Sequence, residues 1–64
     1  MDSIIKKPKA DWTYQIRDAV VYEDKMGRIE DRAVDANDNE VYLVQLANHR
    51  YHWAPVENLE RYIG

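Results

Sequence analysis

Three clusters of polar side chains in this 64-residue chain have the residue types that chemistry uses. Asp35, Asn37 and Asn39 repeat the first three side-chain ligands of an EF-hand calcium loop. The loop's obligatory glycine position is Glu40, however, and the twelfth position, where a bidentate glutamate belongs, is Leu46. His49 and His52 are three apart. They fall across a turn and a strand, so their side chains are expected to diverge, and zinc would want further ligands that no cysteine supplies. Ser3 and Thr13 are the hydroxyl candidates besides the tyrosines, and no nucleophilic triad assembles around either. Glu23-Asp24 and Glu30-Asp31 are adjacent carboxylates, but neighbours on a strand point to opposite faces, whereas acid/base pairs need crowding or burial. Two glycines make no phosphate-cradling loop. We therefore expect no catalytic residues, metal or cofactor, and not an enzyme.

The aromatic residues are more informative. Trp12, Tyr14, Tyr22, Tyr42, Tyr51, Trp53 and Tyr62 occur without a single phenylalanine. Tyrosine and tryptophan join a large apolar body to a polar handle, which suits interaction surfaces as well as small cores. Tyr22, Tyr42, Tyr51 and Trp53, with Arg50 beside them, form the candidate partner-binding set. Strand parity around residue 54 leaves two arrangements open. If Ala54 points inward, Tyr51 and Trp53 face out and Arg50 and His52 face in; the opposite parity buries the two aromatics.

Length and composition set the frame. The chain is enough for one small domain with a thin core. The absence of cysteine excludes disulfides and fits a reducing compartment. The longest apolar run, residues 19–22, is far short of a membrane span, and no secretory signal opens the chain, so a cytoplasmic protein is expected. Residues 1–17 carry four basic and two acidic side chains, residues 18–64 five and ten. An acidic body repels phosphate backbones, which disfavours nucleic acid as a partner. Lys6, Lys7 and Lys9 are the only candidates for weak polyanion contact.

The elements that must position these residues are short strands. Residues 1–11 read as a flexible N-terminal tail, with Pro8 restricting its neighbours, and 12–64 as the domain. Residues 19–22 are β-branched and aromatic and form a strand. A polar break follows, then Gly27, suited to positive φ or to close approach of another backbone. Residues 28–34 read as a second strand, with Ile29, Asp31 and Ala33 on one face and Arg28, Glu30 and Arg32 on the other. Residues 35–40 are a turn by Asn/Asp content. Residues 41–46 give the clearest strand, placing Tyr42, Val44 and Leu46 on one face. A hairpin connection over residues 47–50 leads to a strand ending at Pro55. A single helical turn through Asn58 follows, then a last short strand from about Glu60 to Ile63. The expectation is an all-β, five-stranded SH3-like barrel with one helical turn before the final strand.

The stretches at residues 16–29, Tyr42-Leu43-Val44 and Trp53-Ala54-Pro55-Val56-Glu57-Asn58-Leu59 resemble the Tudor-like RNA-polymerase-interacting domain of CarD-type regulators and of transcription-repair coupling factor. Arg17 stands where that family prefers glycine, and Met26 replaces part of its glycine-containing turn. The resemblance implies a non-catalytic module with a protein partner, specifically the RNA polymerase β subunit, docked along a strand edge. Residues 55–61 also resemble the ending of type II dihydrofolate reductase barrels. The Gln-Ile-Tyr triplet of those enzymes is replaced by His52-Trp53-Ala54, so their active groups are not carried over. What that likeness implies is a possible homo-oligomer, with an intersubunit pore as the alternative function. Tudor and chromo barrels are a third relative, in whose aromatic cage Tyr22, Tyr42 and Trp53 would serve.

Overall fold

A computed structural model of the chain describes residues 4–63. Ser3, weighed above as a hydroxyl, lies outside the described residues. Five strands form one antiparallel sheet in the order β4-β3-β2-β1-β5: β1 Ala19–Tyr22, β2 Lys25–Val34, β3 Glu40–Leu46, β4 Arg50–Pro55 and β5 Leu59–Arg61. Single turns of 3-10 helix cover Ala47–His49 and Val56–Asn58. The all-β class, the strand count and the helical turn before the last strand agree with the sequence reading. Among the described residues no ladder joins β4 to β5, so these two strands are the edges of the sheet.

The local chemistry explains the connections. Glu23 and Asp24 both have positive φ, 50° and 64°, between the paired residues Tyr22 and Lys25. That is the two-residue hairpin turn whose twist matches the strands it joins. β2 consequently begins at Lys25, three residues before the start expected at Arg28, and Gly27 lies inside the strand. Its φ is not positive. A Cβ there would sit 2.5 Å from Val44 Cγ1 and 2.9 Å from the Gln45 carbonyl oxygen, so close approach is what this glycine serves. In the turn between β2 and β3, the Asp35 carboxylate accepts the amides of Asn37 at 2.8 Å and Asn39 at 3.0 Å, with Asp38 at φ 67°.

A β-bulge corrects the face assignment of β2. Ile29 pairs with Val44, but Asp31 pairs with Leu43, leaving Glu30 as the extra residue. Beyond the bulge, parity is reversed. Arg32, with Tyr42 and Ala54, joins the face that carries Ile29 and Val44, while Asp31 and Ala33 turn to the other face.

The main buried cluster is Tyr14, Val20, Ile29, Tyr42, Val44, Leu46, Ala54 and Leu59, with Trp12, Tyr22 and Val56 packed against it, and Ala33, Val34 and Val41 are buried as well. It draws on both edge strands, which requires the sheet to curl strongly around one face. Segment 12–15 covers one end. Trp12 and Tyr14 meet the Tyr42 ring edge-on at 6.0 and 5.3 Å, and the Arg32 and Arg61 guanidinium groups lie 5.0 and 5.1 Å over the Trp12 and Tyr14 rings.

The segment expected to be a tail lies against the sheet from Ile5 onward. Ile5 and Val34 exchange both backbone hydrogen bonds, at 2.7 and 3.0 Å. Lys6 pairs with Asp31, Lys7 with Asp38 at 2.6 Å, and Lys9 with Asp11 at 3.0 Å and Glu40 at 3.5 Å. The physical reason is charge: a basic segment finds carboxylates distant in sequence, on β2, the following turn and β3. No helix among the described residues is long and apolar enough to cross a membrane.

Candidate functional site

β4 sorts the candidate residues. Ala54 is fully buried, so the first parity holds: Tyr51 and Trp53 lie on the face away from the core, paired with Gln45 and Leu43. Tyr51 is 50% exposed and Trp53 half-buried. Arg50 and His52 share the face of Ala54, yet neither is buried. They sit where the curled sheet opens toward the hairpin turns, and the sheet's curvature thus removes the objection to polar residues at these positions.

That opening is a cleft of about 360 Å³ between two turns. Tyr22, Glu23 and Lys25 line it from the β1–β2 hairpin, and Asn48, Arg50 and His52 from the β3–β4 connection. The Tyr22 and His52 rings approach to 6.0 Å with a tilt of 37°, bridging β1 to β4. Asn48 and His49 both have positive φ, 66° and 59°, which turns the chain tightly enough to bring Arg50 to the rim. His49 stays in that turn and does not line the cleft.

Tyr42 is corrected from the partner-binding set to the core. It is completely buried; its hydroxyl donates to the Glu40 carboxylate and accepts the Tyr14 amide at 3.2 Å. Burial, reinforced by the hydrogen bond to Glu40, pushes its phenol up to about 12. Burial works against the Glu40 charge, but hydrogen bonds from Tyr42 and the Thr13 amide, at 3.0 Å for the latter, together with Lys9, hold its carboxyl below the ordinary range. The three residues of the imagined aromatic cage therefore do not converge: Tyr22 is at the cleft, Tyr42 in the core and Trp53 on the opposite face. Lys6, Lys7 and Lys9 are engaged with carboxylates of this same chain, which weakens the case for polyanion contact.

The two edges of the sheet differ. β5 has three residues, and its Leu59 carbonyl accepts the Tyr14 hydroxyl at 3.3 Å. β4 has six residues; from Arg50 to Ala54 no loop or side-chain hydrogen bond among the described residues adds to the β3 ladder, and Pro55 leads into the 3-10 turn. Alternate backbone groups of β4 thus point away from the sheet unpaired. Lys25, Asn48 and His52 escaped the sequence reading as a set, because only folding joins the two turns. One signal was present: residues 41–56 contain no carboxylate in a chain with 12. The chain matches no protein-family model, no curated protein and no solved structure.

Proposed function

We propose that this chain is a non-catalytic protein-interaction module that takes an extended segment of a partner protein as an additional strand along β4. The observation that carries this is the open edge of β4: six residues, bonded on one side, with no lysine or carboxylate along it and with Arg50 and Pro55 only at its two ends. Strand addition uses main-chain hydrogen bonds for affinity and alternate side chains for selectivity. Here the alternation offers Tyr51 and Trp53 to one side of an incoming strand, and Arg50 and His52 to the other.

The strand order, the curl that gathers both edges around one core and the 3-10 turn before β5 support an SH3-like barrel arrangement. They also agree with the resemblance to polymerase-interacting modules, which makes the RNA polymerase β subunit the first partner to try. Positive φ at Arg17, 78°, adds support, because it falls where that family prefers glycine.

The test is amide hydrogen exchange on the folded protein, alone, with purified bacterial polymerase β subunit, and with extended peptides selected on it from a random library. Slowed exchange at Arg50 to Trp53 is expected on binding. Bound peptides that protect other surfaces and leave β4 unchanged overturn the strand-addition reading. An inert β subunit beside peptides that do protect β4 removes the polymerase alone. Light scattering that shows pairs of this chain joined through β4 replaces the foreign partner with a second copy.

A further inference from the structure

The cations of this protein divide into two groups. Lys6, Lys7, Lys9 and Arg61 each meet a carboxylate of the same chain, the last with Asp18 at 3.3 Å. Arg32 is held by Gln15 at 2.9 Å and lies over Trp12. Arg17, Lys25, Arg28 and Arg50 have no carboxylate within ion-pair distance among the described residues, and of these four Lys25 and Arg50 line the cleft beside β4. His52 and Asn48 supply further polar groups there, and Glu23 is the cleft's single carboxylate. A chain of net charge −3 therefore carries an opening in which cations outnumber anions, next to its one long unpaired edge.

We infer that this cleft receives a carboxylate side chain of the partner strand, so that the segment recognised is an acidic extended peptide. The inference rests on the strand-addition reading of β4 and specifies what that edge selects. Side chains of an added strand alternate between the two faces of the sheet, and those on the core-ward side pass beside Arg50 and His52. An aspartate or glutamate there meets the Arg50 guanidinium, whose planar fork matches a carboxylate, with the Lys25 ammonium as a second charge across the cleft. Residues presented to the other face meet Tyr51 and Trp53 and want apolar or aromatic character. A basic side chain at the cleft position would face two like charges, so the arrangement rejects as well as attracts.

The probes are three synthetic extended peptides, identical except for glutamate, glutamine or lysine at the central position. Calorimetry gives their affinities and hydrogen exchange locates them. The glutamate peptide is expected to bind about tenfold more tightly than the glutamine peptide and the lysine peptide more weakly than both. This preference should shrink as salt is raised. Arg50→Gln with Lys25→Gln brings the affinities of the glutamate and glutamine peptides together, and Arg50→Lys with Lys25 kept retains part of the preference. Equal affinities for the glutamate and glutamine peptides, with both protecting β4, overturn the acidic selectivity and leave strand addition standing. Glutamate-dependent binding that perturbs Tyr22 and Asn48 without protecting β4 sustains the carboxylate site and removes strand addition. No β4 protection and no glutamate preference removes both.

Discussion

Replacing Tyr42 with phenylalanine deletes one oxygen from the centre of the fold, and its consequences are calculable. The hydroxyl donates to Glu40 and accepts the Tyr14 amide, and the ring is wholly buried. Tyr42→Phe preserves the packing but leaves the Tyr14 N–H without its partner and removes one hydrogen bond from a carboxylate. Each such loss costs about 1–3 kcal/mol, and with both at the low end of that range we expect a combined loss of about 2 kcal/mol at neutral pH. A domain of this length holds only about 3–10 kcal/mol in total, so the midpoint of thermal unfolding should fall by about 10 °C. The phenol adds a pH signature. Its folded-state value of about 12 lies above the ordinary 10.0, so the unfolded chain gives up this proton first as pH rises. The stability linked to that difference is fully present below pH 10 and is lost as pH rises toward 12, by about 2–3 kcal/mol at most. The gap between the native protein and the variant should therefore close from about 2 kcal/mol at pH 8 to nearly nothing at pH 12. Urea titrations followed by tryptophan fluorescence at matched pH measure this directly, because every other titrating group is common to both proteins and cancels in the difference. A gap that stays constant across that pH range, or one below about 0.5 kcal/mol at neutral pH, refutes the assignment of Tyr42 to this network.

Two backbone predictions need only the same denaturation assay. Arg17 is exposed and is the third residue of a turn closed by the Asp18 amide on the Gln15 carbonyl at 3.1 Å, with φ 78°. Arg17→Gly should relieve left-handed strain and stabilise the fold by about 0.5–1 kcal/mol, while Arg17→Ala changes little; a glycine variant no more stable than the alanine one contradicts the strain argument. Gly27→Ala places a methyl group against Val44 and the fixed carbonyl of Gln45, so it should destabilise by about 1–3 kcal/mol. A neutral result would mean that β2 and β3 separate more easily than their register implies.

What the sequence disclosed and what it concealed follow one division. Features decided within a few residues were legible: the alternation of β3, the Asn/Asp turn after β2, and Pro55 ahead of a helical turn. Features decided by a partner strand were not. Nothing local marks Glu30 as a bulge, because the extra residue exists only when β2 is counted against β3. Nothing local places Tyr42 in the core, since its hydroxyl is acceptable there only because Glu40 and the Tyr14 amide come to meet it. The lysines looked like a solvated tail because Asp31, Asp38 and Glu40, which hold them to the domain, are far along the chain. Parity on β4 stayed ambiguous for a related reason: Arg50 and His52 look wrong on an inward face until the sheet curls and opens a cleft beside them. The candidate surface was half visible, in the aromatic and carboxylate-free run around β4, while Lys25 and Tyr22 reach it only through the opposite hairpin.

The two ends of the molecule are built differently. At one end, Tyr42, Glu40, Arg32 and Arg61 pin segment 12–15 over the core, and the N-terminal lysines neutralise carboxylates nearby. At the other, Lys25 and Arg50 line a cleft with Glu23, make no ion pair among the described residues, and lie beside an edge that no described strand pairs. A chain this small has little stability to spare, and an unprotected edge is an aggregation hazard that soluble proteins ordinarily suppress. Covering β4 would have taken no more than the device already applied to β5, a side chain bonded to the outer carbonyl. The proposed strand addition rests on this contrast between a β5 bonded at Leu59 and a longer, aromatic, open β4. It also predicts that changes to the Tyr42 network shift stability without altering peptide selectivity, and that changes to Lys25 and Arg50 do the reverse. Coupled effects, in which Arg50→Gln unfolds the domain or Tyr42→Phe alters the preference for glutamate, would show that the two ends are not independent.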